Sequence, residues 1–408
     1  MKQFFKGDMA IWIIFMMLCL ISIIEVFSAS STLTYKSGDH WAPISAHFIL
    51  IAGGAFIVWL VHNIPCKLFW TGVLLLPLSW ILLIAVLLMS AAINGAVRWI
   101  DLGFVQFQPS ELAKMAVIIV VAKILAIYQR RGRSADPQAL TWIGIVTIPT
   151  ILLIVSENFS TAFLLTCTVY LMMFVGRIPM KQMLAVTGAG VGLIVIAFIA
   201  IMTLPPSLCQ KYDPLKRVPT WKARIENFSN NEQVPPEKYD ISDNAQVGHA
   251  NIAIATSNVL GKGPGNSVER DFLSQAFSDF IYAIIIEELG LVGGAFVAFL
   301  YIFLMIRIAK TARQCNDSFY AFLIMGIGIL LVMQAMVNML VAVGIMPVTG
   351  QPLPLISKGG TSTLINSVYI GIVLSVSHYA QQLKLQKELQ QQTETTTALE
   401  NLELRTKN

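Results

Sequence analysis

Of 408 residues, 56% are hydrophobic and only 12% charged, and the mean hydropathy is +0.69. Runs of about 20 apolar residues recur, each long enough to cross a hydrocarbon core of about 30 Å, so the chain reads as an all-α polytopic membrane protein and not as a transmembrane β-barrel, whose strands would alternate in short segments. The net charge of +5 sits mostly in short turns, where it marks topology and gives no sign of nucleic-acid binding.

The first run, 9–29, follows Lys2 and Lys6 and resembles a secretion signal at its N-terminal end. It is too long for such a signal's apolar core, and more runs follow, so it reads as an uncleaved first helix. Further runs cover 44–61, 70–92, 110–126, 139–155, 161–175, 183–204, 279–306, 318–344 and 362–379, about ten spans in all. Placing the N-terminus in the cytoplasm puts Lys67, then Arg130, Arg131 and Arg133, then Arg177 and Lys181, then Arg307, Lys310 and Arg313 all on the inner side. The C-terminus then also falls inside. The membrane domain is expected to span 1–380, with a large outer loop at 205–278 between the seventh and eighth helices. Beyond it the Gln-, Thr- and Glu-rich stretch 381–408 reads as a partly helical or disordered cytoplasmic tail. Of five cysteines only Cys209 lies in an outer loop, so no disulfide framework is implied, and no metal-ligand spacing appears among the dispersed histidines.

The informative polar residues collect on the outer side. In "NGAVRWIDLGFVQFQPSELAK", Gln108, Pro109 and Ser110 look like a helix start, with Ser110 a plausible N-cap and Glu111 in the first turn, where an acid complements the helix dipole. Lys114 is on the wrong end of that dipole. Its i, i+3 spacing from Glu111 lets the two pair, either as a purely structural ion pair or as the lining of a polar cavity. Arg98 suits an interfacial anchor and equally a phosphate contact.

In "DFLSQAFSDFIYAIIIEELGLVGG", Asp279 opens an apolar run directly after the large loop, either as a helix-start acid or as a general base. Glu287 and Glu288 are two turns deeper and about 100° apart, so at most one is expected to face a single cavity. In "NMLVAVGIMPVTGQPLPLISKGGTSTL" the prolines and glycines forbid a regular helix, and a re-entrant or folded loop is expected. There Ser357, Lys358, Gly359, Gly360 and Thr361 offer hydroxyls, an ammonium and backbone N–H groups, read either as an anion or pyrophosphate site or as a simple helix cap.

With these three blocks, and with "STA" at 160–162 and "GKGPGNS" at 261–267 between them, the chain resembles the SEDS family (shape, elongation, division and sporulation) of ten-helix peptidoglycan glycosyltransferases. The resemblance implies that the family's essential acid falls on Asp279, its QPSE and Lys pair on Glu111 and Lys114, and its paired glutamates on Glu287 and Glu288. Departures occur at Asn158, Gln275 and Phe277, where the family usually has Asp, Glu and His, and at Lys358, where it has an aromatic. The implied substrate is lipid II and the implied reaction its polymerisation at the outer face of the cytoplasmic membrane. Asp279 would act as base, with Arg98, Lys114 and Lys358 as candidates for the pyrophosphate. A divalent cation (Mg or Mn) bridging Asp279 and pyrophosphate is compatible with this, although no ligand cluster requires it. Expected partners are a class B penicillin-binding protein transpeptidase and other membrane proteins of the division machinery. The likeness leans to the septal, FtsW-type branch over the elongation, RodA-type branch. A lipid II flippase and a non-catalytic division scaffold are the rival classes; outer-facing motifs and plain inner turns favour polymerisation.

Overall fold

The computed structural model describes residues 5–29, 42–93, 99–101, 106–129, 134–203, 218–219, 222–223, 245–273 and 277–406. Its helices are α1 (Met9–Ala29), α2 (Ala42–His62), α3 (Leu75–Ile93, entered through a 3-10 stretch Cys66–Leu74), α4 (Pro109–Tyr128), α5 (Gln138–Val155) and α6 (Phe159–Val175). These are followed by α7 (Met180–Thr203), the short α8 (Ala245–Thr256), α9 (Ile281–Gln314), α10 (Ser318–Ala342) and α11 (Gly360–Thr406). Among the described residues the one strand pairing is a two-residue antiparallel hairpin, β1 (Ile100–Asp101) with β2 (Gln106–Phe107), leading into α4.

The chain is an all-α, multi-pass membrane protein. Each apolar run of the sequence coincides with a described helix, and among the described residues eight helical stretches are long and apolar enough to cross a membrane. Two others differ for visible reasons: α6 has 17 residues, and α4 carries Glu111, Lys114 and Lys123. The eighth apolar run starts as a helix only at Ile281, which leaves Asp279 in the preceding turn, outside the helix it was expected to open. The last helix does not stop near 379; it continues through the polar tail to Thr406, where Gln, Glu, Lys and Leu are all good helix formers.

Side-chain contacts gather the helix ends into two groups. At one end Asp8 pairs with Arg307, Cys66 lies 3.3 Å from Ser375, the tilted rings of Trp70 and Phe319 meet at 5.1 Å between centroids, and the Ala135 N–H bonds the Arg177 carbonyl. At the other, Ser22 reaches His47 and the Ile356 carbonyl, Gln351 reaches Thr161, and Asn338 reaches the turn at Asp279. Helices α4, α10 and the first part of α9 form the buried centre, with long runs such as Ile281–Glu288 closed off from the surface. The faces of α5, α7 and α9 that carry Ile148, Leu193, Ile196, Phe299 and Ile302 are exposed and apolar, as lipid-facing surfaces must be.

Candidate functional site

The cap of helix α4 lies two residues earlier than Ser110, the N-cap the sequence suggests. Gln108 is the cap and Pro109 the first helical residue, a position that suits proline because its missing N–H would be unbonded anyway. Ser110 is therefore inside the first turn and not the N-cap, and its Oγ accepts from Gln108 Nε2 at 3.0 Å. Glu111 and Lys114 meet as their spacing requires: Nζ lies 2.8 Å from Oε1, with both side chains sealed from the surface. Lys114 also donates to Gln334 Oε1 of α10 at 3.3 Å. Gln334 in turn donates from Nε2 to the Pro352 carbonyl at 3.0 Å, so the ion pair braces the irregular segment after α10.

Asp279 lies in the turn 277–280 that precedes α9, next to the cap residue Phe280, and is 8% exposed. Three consecutive carbonyls of this turn are held. Lys358 N–H donates to Phe277 O at 2.9 Å, Ser357 Oγ to Ser278 O at 2.5 Å, and Asn338 Nδ2 to Asp279 O at 2.9 Å. Across from the carboxylate, Gly350 sits at φ +66, a conformation that disfavours any side chain, and its vacant Cβ position is 3.9 Å from Asp279 Oδ2. The acid is thus presented by a backbone fixed on one side and faced by a bare glycine on the other.

The segment 343–359 is irregular; its first half surfaces at Ile345, Pro347 and Gly350, and its second half, 351–357, is packed inside the protein, where irregular backbone in a membrane protein is tolerated. Gln351, Leu353, Leu355, Ile356 and Ser357 are all shielded, and Leu355 has φ +65. Two hydroxyls that the sequence offers to an anion are committed to the protein itself. Ser357 Oγ serves Ser278 O and the Leu353 N–H, and Thr361 Oγ1 bonds the Gln106 carbonyl while accepting from the Gln108 N–H. Lys358 is half-buried over the Phe277 ring, 5.5 Å from its centroid, and burial pulls its pKa below the ordinary lysine value. Gly359 and Gly360 lead into α11, whose first N–H groups emerge beside Lys358. Arg98 and Gln275 lie outside the described residues. Asn158 caps α6, its Oδ1 accepting from the Thr161 N–H.

Glu287 and Glu288 are both buried, and both are met by the segment 262–270. Glu287 takes Lys262 Nζ at 2.6 Å, the Val268 N–H at 3.1 Å and the Ser267 hydroxyl. Glu288 takes the Gly265 N–H at 2.9 Å, the Ser267 N–H at 3.2 Å and the Ser28 hydroxyl of α1. The segment wraps around α9 where Gly290, at φ +74, breaks the helix; a Cβ there would collide with the Val259 carbonyl. Among the described residues no three of His, Cys, Asp and Glu gather in a group that could hold a metal ion.

Sequence reasoning missed Gln334, Asn338 and Gln351. Gln334 and Asn338 are one turn apart on α10, and this i, i+4 amide pair in an otherwise apolar helix is the signal that could have found them.

A family model for FtsW, RodA and SpoVE, described as a cell cycle protein, matches residues 8–382. The chain belongs to the FtsW/RodA/SpoVE family. Within this family it is 29% identical over 380 residues to the probable peptidoglycan glycosyltransferase FtsW of Coxiella burnetii, covering 90% of this chain and 95% of that one. It is 30% identical over 376 residues to the protein of the same name from Halothiobacillus neapolitanus, covering 90% and 85%. Among solved structures, its fold is similar to a chain from work on the coordination of polymerisation and crosslinking by a peptidoglycan synthase complex, with TM-score 0.69, 25% identity and coverage of 92% and 98%. The rod shape determining protein RodA of Thermus thermophilus shares the FtsW/RodA/SpoVE fold as well, at TM-score 0.62 and 23% identity, covering 91% and 96%.

Proposed function

We propose that this chain is a peptidoglycan glycosyltransferase of the FtsW type that polymerises lipid II at the outer face of the cytoplasmic membrane, for septal wall synthesis. The observation that carries the chemistry is the Asp279 carboxylate on a backbone turn clamped at three successive carbonyls. Glycosyl transfer needs a base for the acceptor hydroxyl, held in near-attack geometry, and cationic groups for the departing pyrophosphate. Asp279 takes the proton as the acceptor oxygen bonds to the sugar carbon and the bond to pyrophosphate breaks. Lys358, Arg98 and the N–H groups heading α11 balance the charge on the leaving group. Glu111 and Lys114 act through Gln334 on the segment that carries Lys358. A divalent cation, when bound, would be held by Asp279 and by the pyrophosphate oxygens and would add Lewis-acid stabilisation, the pattern in which Mg²⁺ uses one carboxylate, phosphates and water.

The excess of Lys and Arg in alternate turns supports a cytoplasmic N-terminus, which turns the end bearing Asp279 outward. A class B penicillin-binding protein transpeptidase is the partner, a reading supported by the likeness to a synthase complex that couples polymerisation to crosslinking; other division membrane proteins complete the assembly. To test the activity, the protein is co-purified with that transpeptidase and given fluorescent lipid II in liposomes. Glycan ladders that disappear on digestion with a muramidase are expected. Movement of lipid II between leaflets without polymer would overturn the reading in favour of transport.

A further inference from the structure

We propose that Asn338 is the positioning residue for Asp279, a role that rests on reading Asp279 as the general base. Asn338 is in the last turns of α10 and 1% exposed. Its amide nitrogen has two hydrogens and uses both, one on the Asp279 carbonyl at 2.9 Å and one on the Gln351 carbonyl at 2.8 Å. Two carbonyl acceptors assign the amide orientation, because the flipped arrangement would set Oδ1 against two other oxygens. Oδ1 is shielded from the surface, so Asn338 does not reach substrate in this conformation.

The three donors that hold the turn are not equivalent. Ser357 and Lys358 belong to the irregular segment 343–359, whereas Asn338 alone of the three stands on a regular helix packed in the centre of the bundle. That same irregular segment is itself tied to α10, through Gln351 O to Asn338 and Pro352 O to Gln334. Gln351 extends the tie to α6, its Nε2 donating to Thr161 Oγ1 at 2.9 Å. The reference point for Asp279 is therefore one side chain of α10. Holding the Asp279 carbonyl fixes the peptide plane that follows it and with it the direction of the Cα–Cβ bond. Without this hold the carboxylate can drift, and misplacement of a reacting group by about 1 Å costs on the order of 10²-fold in rate.

The test compares Asn338→Leu, which has no donor, and Asn338→Asp, which has at most one, both close to Asn in side-chain shape, with Asp279→Asn in the complex with the transpeptidase. Expected are normal insertion and co-purification, a kcat for lipid II polymerisation lowered about 10²-fold, and a KM within about twofold of native. A variant that polymerises at the native kcat while Asp279→Asn is inactive overturns the positioning role and leaves the base assignment intact. An active Asp279→Asn instead overturns the base assignment itself. A loss confined to KM, or failure of both Asn338 variants to insert, makes Asn338 a substrate contact or a purely structural residue and refutes the proposal.

Discussion

Removing one member of the Glu111–Lys114 pair should harm the protein far more than removing both. The ammonium lies 2.8 Å from the carboxylate with 1% and 4% of the two side chains exposed, and among the described residues its other hydrogen bond is to the neutral Gln334 amide. At an effective dielectric near 20 the gross attraction at this distance is about 6 kcal/mol, and breaking a buried pair typically costs about 3–5 kcal/mol because the survivor keeps its charge without compensation. Glu111→Gln and Lys114→Met should each destabilise by about that amount, whereas the double variant, having no charge to bury, should come within about 1 kcal/mol of native. The assay is a double-mutant cycle on unfolding in mixed micelles, followed by tryptophan fluorescence, with lipid II polymerisation measured on the same samples. Additive losses in the double variant would refute the coupling. Native activity in the double variant would remove the pair from any part in substrate handling.

Glu25 in α1 is fully buried, and neither carboxylate oxygen has a hydrogen-bond partner among the described residues. Replacing it with Met, similar in volume and free of the orphaned oxygens, should stabilise the protein by about 1–3 kcal/mol in the same unfolding assay; destabilisation would contradict this. Gly290→Ala should free the segment 259–268 from α9, since a left-handed φ adds about 1–3 kcal/mol of strain to the collision with Val259. Faster trypsin cleavage after Lys262 would report it, and unchanged cleavage would show that the break in α9 does not hold the segment. Reporters fused after Arg133 and Arg313 should score as cytoplasmic and one near Asn230 as external; an external signal at Arg133 would invert the proposed orientation of Asp279.

What the sequence makes legible here is local. Length and hydropathy suffice for the apolar helices, an i, i+3 spacing for the Glu111–Lys114 pair, and clustered prolines and glycines for the folded segment after α10. What it hides is remote. Glu287 and Glu288 are satisfied by residues about 20 positions upstream that only positive-φ glycines bring into place, and the periodicity of α9 carries no trace of Gly261 packing on Gly290. Ser357 and Thr361 looked available to an anion because hydroxyls advertise their chemistry but not their partners, here backbone carbonyls 79 and 255 residues away in sequence. The amide pair Gln334 and Asn338 is visible in the sequence of α10, but the contact of Asn338 with Asp279, 59 residues earlier, is not.

Whether Asp279 supplies the base is decided by Asp279→Asn in the purified complex with its transpeptidase, assayed on fluorescent lipid II. The substitution keeps the size of the side chain and leaves the Asn338 bond to the backbone in place while removing the basicity. Normal insertion, retained partner binding and a loss of polymerisation of at least about 10²-fold are expected. Polymerisation by the Asn variant at near the native rate would contradict the assignment of Asp279 as the base.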